Sequence, residues 1–434
     1  MESFLLGFVI ILGIIIVAFI LNEKKLHISH DIALMGVAFL ISITFLGIKQ
    51  FNIFGYVDEL PVINFFENFH LNHFLLEYIL GFLMFATASK VHFQKIIKNA
   101  IPIGYLTLIT TFIFSILYGI LFYGISCLLN LGIDLWLCVL TGAILSATEP
   151  GAAISTLNKL GVSKSLISTM EGESLFNDGV GVAIFVFITE WLFQGDMKNF
   201  FGIVGKEFLG AILVGLGVSY ILFRLLKLSN QPVVHILISL LTVSMSYVIC
   251  DYYGFSGIIA SAICGIYFSY NNHKISRWRK VVDSKELYDD FWNIISNLLS
   301  GILCVLVGLS VVFMKFNINT SILIPLVVLI NLIARGIGVA ISTSLVGKKK
   351  IPGHYSFTEF VSLMSWGGLR GGLSLALIMS AKDLLSAQVY EILFNSTMIT
   401  ILFTTIVQGL TIGKLHVKIE KKQEEKRLVV VPNK

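Results

Sequence analysis

Charge is the scarcest ingredient of this 434-residue chain. Only 13% of its residues are Asp, Glu, Lys or Arg, whereas 56% are hydrophobic, and the mean hydropathy is +0.87. No soluble domain of this length tolerates that balance, so the chain is expected to cross a membrane many times. The apolar stretches also lack the two-residue alternation of strands, which excludes an outer-membrane barrel and leaves helices. Cysteine is sparse. Cys127, Cys138, Cys250, Cys264 and Cys304 all fall in or beside apolar segments, and none makes a CxxC pair. That argues against a disulfide framework or a thiolate metal site. There is no HExxH and no GxSxG, so an intramembrane enzyme is not expected. No nucleotide-binding loop, large soluble sensor domain or carbonyl-type selectivity filter is visible either. No cofactor and no nucleic-acid partner is expected. The first apolar run, Phe4 to Leu21, carries neither a basic leader nor a small-residue cleavage site, and it reads as a retained membrane helix.

What is there is a series of about thirteen apolar segments. They lie near 3–21, 31–48, 72–89, 100–126, 133–158, 165–190, 200–223, 232–250, 255–270, 288–313, 320–346, 356–381 and 388–413. With the N-terminus outside, 24 of the 31 Lys and Arg residues fall on the cytoplasmic side, and only Lys49, Lys198, Lys315 and Lys382 fall outside. That asymmetry is the positive-inside pattern, and it requires an odd number of spans and a cytoplasmic C-terminus. The predicted class is therefore an all-α polytopic membrane protein, integral to a cell membrane with the bilayer itself as a partner. A transmembrane domain would occupy 1–413, with core helices near 72–190 and 288–381. A short charged tail would follow over 414–434, disordered by composition. The loop from Lys49 to Leu71 carries Asp58, Glu59 and Glu67 and should lie outside. The stretch 271–290 contains Arg277, Trp278, Arg279 and Lys280. It suits an interfacial helix on the cytoplasmic face, joining two halves or touching anionic lipid, or equally a solvated loop.

Four motifs place polar groups inside these segments. In GESLFND, Gly172 to Asp178, a helix puts Ser174 and Asp178 one turn apart, with Glu173 and Asn177 as a second pair beside them. Such groups are costly in hydrocarbon and should face the protein interior or a water-filled cavity. In general a desolvated carboxylate holds its proton more tightly, and a neighbouring cation releases it. A proton and a cation can therefore compete for the same oxygens. The alternative is a helix-packing patch satisfied by its neighbours.

The preceding segment contains SATEPGAA, Ser146 to Ala153, where Pro150 and Gly151 interrupt the helix at Glu149. Segment 12 contains WGGLRGG, Trp366 to Gly372, with four glycines around Arg370. Interruptions at matching positions of segments 1–6 and 8–13 suggest inverted repeats with two broken helices. Glu149 could then neutralise exposed half-helix N-termini and Arg370 the C-termini. A plain proline kink is the alternative for the first. Arg335, in LIARGIG of segment 11, cannot discharge by losing a proton and needs a fixed partner unless it snorkels to the interface. Glu173 is the best candidate, which leaves Asp178 free to titrate. Glu77 and Glu207 can reach water from segment ends, and His235 is expected to be solvated or capping.

Together these motifs resemble those of the cation:proton antiporter superfamily, specifically sodium/proton exchangers of the NhaP type. The family pattern reads T-D-P in the fifth helix, G-E-S-L-hydrophobic-N-D in the sixth, A-R in the eleventh and W-G-G-L-R-G in the twelfth. Here these are Thr148-Glu149-Pro150, Gly172 to Asp178, Ala334-Arg335 and Trp366 to Gly371. The resemblance implies thirteen helices, a core domain moving against a dimerisation domain, and a homodimer. It implies Asp178 as the carrier of proton and cation, with Ser174 and Thr148 as accessory ligands. Asn177 would orient the site and Glu173–Arg335 would be a structural ion pair. The expected activity is exchange of Na+ or Li+ for H+, serving pH homeostasis, with Asn177 before the key aspartate linked to electroneutrality. A K+/H+ antiporter of the same fold is the alternative, and a sensor or channel the rival of another class. Two departures stand out. Glu149 replaces the usual aspartate, and segment 3 reads Leu83-Met84-Phe85-Ala86-Thr87-Ala88 where many relatives carry an acid.

Overall fold

Apolar periodicity too uniform to define one wet face produces helices that are covered on all sides, by other helices or by lipid. The computed structural model describes residues 2–50, 79–90, 93–194, 200–229, 231–278, 282–315, 318–347, 350–353 and 355–430. Among these residues there is no strand, and nine helices are long and apolar enough to cross a membrane. Among the described residues, shorter or interrupted apolar helices stand at the four other expected places, within 79–90, 135–159, 257–278 and 357–380.

In chain order the helices are α1 (Glu2–Leu21), α2 (His30–Gln50), α3 (Leu80–Lys90), α4 (Ala100–Leu128), α5 (Leu135–Ile144), α6 (Gly151–Lys159) and α7 (Lys164–Gln194). Then follow α8 (Phe200–Leu225), α9 (Pro232–Tyr253), α10 (Gly257–Trp278), α11 (Val282–Leu309) and α12 (Ile318–Val346). The last four are α13 (Phe357–Trp366), α14 (Gly372–Ser380), α15 (Ala387–Leu402) and α16 (Gly409–Val430). Segment 5 is thus α5 plus α6, segment 12 is α13 plus α14, and both are broken in mid-span. Local chemistry sets these ends. Asp134 caps α5 by accepting from the Trp136 amide at 2.8 Å. Pro150, which has no N–H to leave unsatisfied, sits at the start of α6. Ser356 and Glu359 form a reciprocal capping box on α13.

The helices pack in two groups. One contains α1, α2, α3 and α8 to α11; the other contains α4 to α7 and α12 to α16. The groups meet where α2 touches α6, α11 touches α14, and α7 touches α8 and α10. Large apolar side chains such as Leu213 on α8, 71% exposed, point outward to where lipid would lie.

Two expectations need correction. Over its described residues the tail is helical rather than disordered: α16 carries on to Val430. Ile412, His416 and Ile419 are buried along one seam of it, and Gln423 donates to Glu359 of α13 at 2.7 Å. The stretch 271–290 does not form a separate interfacial helix among the described residues, since α10 runs to Trp278 and α11 already begins at Val282. The acidic loop with Asp58, Glu59 and Glu67, and Glu77, lie outside the described residues. Glu207 is half-buried on α8, and buried His235 lies with Nε2 3.0 Å from the Ser229 carbonyl, a capping position.

Candidate functional site: the crossing of two broken helices

The breaks in segments 5 and 12 lie against each other. The Glu149 amide donates to the Leu369 carbonyl at 2.9 Å, so the two interruptions cross as a short backbone-bonded junction. A half-helix ends at each side of each break, leaving partial positive charge at N-termini and partial negative charge at C-termini. Glu149 answers the first: its Oε2 accepts from the Gly372 amide at 3.1 Å, at the start of α14. Arg370 answers the second: its Nη1 donates to the carbonyls of Ser146 (2.9 Å) and Ala147 (3.0 Å), just past α5. The Arg370 guanidinium also stands 4.3 Å from the Phe114 ring centroid. Ser374 adds a bond to the Ile144 carbonyl at 2.7 Å.

The longer acid at position 149 fits because of Gly371. A Cβ there would collide with Glu149 Oε2 and lie 2.9 Å from Glu149 Cβ, so a larger residue would have to displace this carboxylate. Arg370 is 1% exposed, and its peptide is held from α15–α16. Its amide donates to Thr404 Oγ1 and its carbonyl accepts from Thr405 Oγ1, both at 3.0 Å. These adjacent threonines lie in a π-type turn, Phe403–Gln408, which widens the helix locally.

On α7, Glu173 meets Arg335 of α12 in a two-pronged pair, with Nη1 to Oε1 at 2.7 Å and Nη2 to Oε2 at 2.9 Å. Both residues are buried, 2% and 3% exposed. Asn177, fully buried, ties α7 to the break: its Nδ2 donates to Thr148 Oγ1 at 2.7 Å and more weakly to Glu173 Oε1 at 3.3 Å. Its Oδ1 lies 3.4 Å from the Thr148 amide. Ser174 Oγ donates to the Thr148 carbonyl at 2.6 Å. Asp178 follows one turn later on the Ser174 face. It is half-buried, and no described residue donates a hydrogen bond to its carboxylate.

Every site residue expected from the sequence therefore converges here: Thr148, Glu149, Glu173, Ser174, Asn177, Asp178, Arg335 and Arg370. Sequence reasoning missed Asp31. It stands in the first turn of α2, accepts from Ser300 Oγ of α11 at 3.2 Å, and approaches Gly151. A small cavity of ≈ 20 Å³ lies among Asp31, Met35, Glu149, Cys304, Arg370 and Thr405. An acid in the first turn of a helix reads as an ordinary N-terminal charge, so only its partner on α11 reveals its position. Among the described residues, no cluster of His, Cys, Asp and Glu has the geometry of a resident metal site.

Residues 5–418 match the family profile described as sodium/hydrogen exchanger, transmembrane. The chain belongs to the sodium/hydrogen exchanger family. Among relatives of this family, it is 26% identical over 404 residues to the Na(+)/H(+) antiporter NhaP of Pseudomonas aeruginosa, covering 91% of this chain and 92% of that one. It is 28% identical to the Na(+)/H(+) antiporter NhaH of Halobacillus dabanensis, over 80% of this chain and 83% of the relative. In fold it is similar to the sodium proton antiporter MjNhaP1 from Methanocaldococcus jannaschii, solved at pH 8. That similarity has a TM-score of 0.69 at 19% identity, covering 96% of this chain and 99% of the other.

Proposed function

We propose that this exchanger-family protein carries Na+ or Li+ against H+ by alternating access, with Asp178 as the carboxylate that both ions share. The observation that carries this reading is the inequality among the buried acids. Glu173 is committed to Arg335, and Glu149 accepts from the Gly372 amide. Asp178 is half-buried and takes no donor from the described protein. Its oxygens are the ones left for an exchangeable ligand, with Ser174 and Thr148 beside it to complete a cation's oxygen shell. Proton and cation exclude one another on one carboxylate, which suffices for coupling. A single uncommitted acid with a non-ionisable Asn177 next to it supports one proton per cation, hence electroneutral exchange. In the same reading the protein is a homodimer, with the N-terminus outside and the basic face cytoplasmic.

The test is initial proton flux in proteoliposomes against a panel of Na+, Li+ and K+. Saturable flux with Na+ or Li+, abolished in Asp178→Asn at matched protein levels, is the expected result. Wild-type-like flux in that variant overturns the shared-carboxylate mechanism. Flux driven by K+ alone reassigns the cation, and proton movement independent of any cation indicates a channel.

A further inference from the structure

A second site lies at the other end of α6, away from the crossing. A groove of ≈ 920 Å³ opens between the end of α6 and one face of α16. Leu410, Lys414, Val417, Lys418, Lys421 and Glu425 repeat at helical spacing, so they share that face of α16. Lys159, Lys414, Lys418, Lys421 and Lys422 line the groove against one acid, Glu425, and none of the five pairs with an acid among the described residues. The walls between them are apolar and open: Leu160 is 40% exposed, Leu410 44% and Val417 37%. Leu410 continues the outward face begun by Val407, 41% exposed within the span, so the groove runs on from the lipid-facing surface. At its floor the two helices touch. A Cβ on Gly413 would meet Thr156 at 3.2 Å and Leu160 at 3.3 Å.

We propose that this groove binds one anionic phospholipid, its phosphate among the lysines and the start of an acyl chain along Leu160, Leu410 and Val417. Five cations and an apolar wall at the mouth of a membrane span match both halves of such a molecule. A soluble phosphate would satisfy the lysines and leave the wall open to water. The position also carries a consequence. α6 begins at Gly151, directly after Thr148 and Glu149, so a lipid wedged against its far end bears on the half-helix that opens at the exchange site. Lipid binding here would hold whichever cation the protein carries.

The test uses the full-length protein in detergent, titrated by native mass spectrometry with a phosphatidylglycerol, a phosphatidylcholine of the same chains, and glycerol phosphate. Phosphatidylglycerol should be retained at one per chain and at least about tenfold more tightly than phosphatidylcholine. Each lysine near an anionic headgroup contributes enough that Lys418→Gln with Lys421→Gln should weaken retention by about thirtyfold. Removing the same charge at Lys24 and Lys25, exposed in the link between α1 and α2 on the same membrane side, should leave it unchanged. Matched melting curves establish that all variants are folded. Equal retention in both double variants would mean only the diffuse basic face attracts lipid, and would overturn the groove. Retention of phosphatidylcholine as tight as phosphatidylglycerol would do the same. So would full displacement of lipid by equimolar glycerol phosphate, which would make it a soluble-anion site.

Discussion

Asp178, Glu173 and Arg370 are all charged residues within the membrane-spanning part, yet their surroundings give them different work. Glu173 and Arg335 satisfy each other, both almost without exposure. Removing one leaves a buried charge alone, so Glu173→Gln or Arg335→Ala should cost about 3–5 kcal/mol. Removing both should cost clearly less than the sum of the two. Detergent melts of the four variants check this, and strict additivity would show that the pair is not an energetic unit. Gly371 gives a second test at the same scale. Adding a Cβ there drives it into Glu149 Oε2, so Gly371→Ala should destabilise by about 1–3 kcal/mol and slow exchange. Glu149→Asp withdraws the carboxylate by one methylene and should recover part of that loss. A Gly371→Ala variant with wild-type melting would mean the carboxylate sits elsewhere.

At the scale of elements, the broken helices turn an apparent defect into a site. An intact helix has no free ends in the bilayer; two crossed breaks present four, and Glu149 and Arg370 sit where those ends need opposite charges. The terminal helix α16 shows a different balance. Its sequence over 414–425 is rich in charge, which by composition reads as a solvated tail. Ile412, His416, Ile419 and Gln423 nonetheless recur at helical spacing on the side of α16 that docks on the half-helix α6 and on α13. Hydrogen exchange should therefore find the amides of 415–425 protected within the first minutes, where a disordered tail would have exchanged fully. Immediate exchange there would remove the docked helix, and with it one wall of the lysine groove.

For the whole molecule, two groups of helices meet along a contact that includes the small cavity between Asp31 and Glu149. If the crossing is the exchange site, as proposed, a site on one group with a wall from the other is what alternating access requires. If Asp178 binds either a proton or a cation, acidity acts through competition. Proton occupancy rises as pH falls, so the apparent KM for the cation should rise, tending to tenfold per pH unit below the site's own pKa, at nearly constant maximal rate. At high pH the carboxylate is free but protons for the return step are scarce, and turnover should fall. Initial rates against cation concentration at several pH values in proteoliposomes decide the matter. A KM independent of pH, with only the maximal rate changing, would place control in a separate sensor and defeat competition at one carboxylate.

The all-helical, many-span class, the placement of the two breaks and the identity of the buried charged residues were legible in the sequence. Each follows from local physics: hydropathy over a bilayer's length, proline and glycine against helix, and the cost of charge in hydrocarbon. For Arg335, the sequence offered Glu173 as the best candidate partner, and the family resemblance implied the pair; only the packed structure brings the two side chains together. Other features depended on which distant residues meet. That Glu149 accepts from Gly372 and needs Gly371 beside it links positions more than 200 residues apart. That Asp31 lies at the crossing rather than at a surface depends on Ser300, which shares no pattern with it. The order of the tail depends on a seam whose partners lie on α6 and α13. Local pattern reports how each residue partitions between water and lipid; only the packed chain decides which polar group answers which, because that choice is made by contact across the fold.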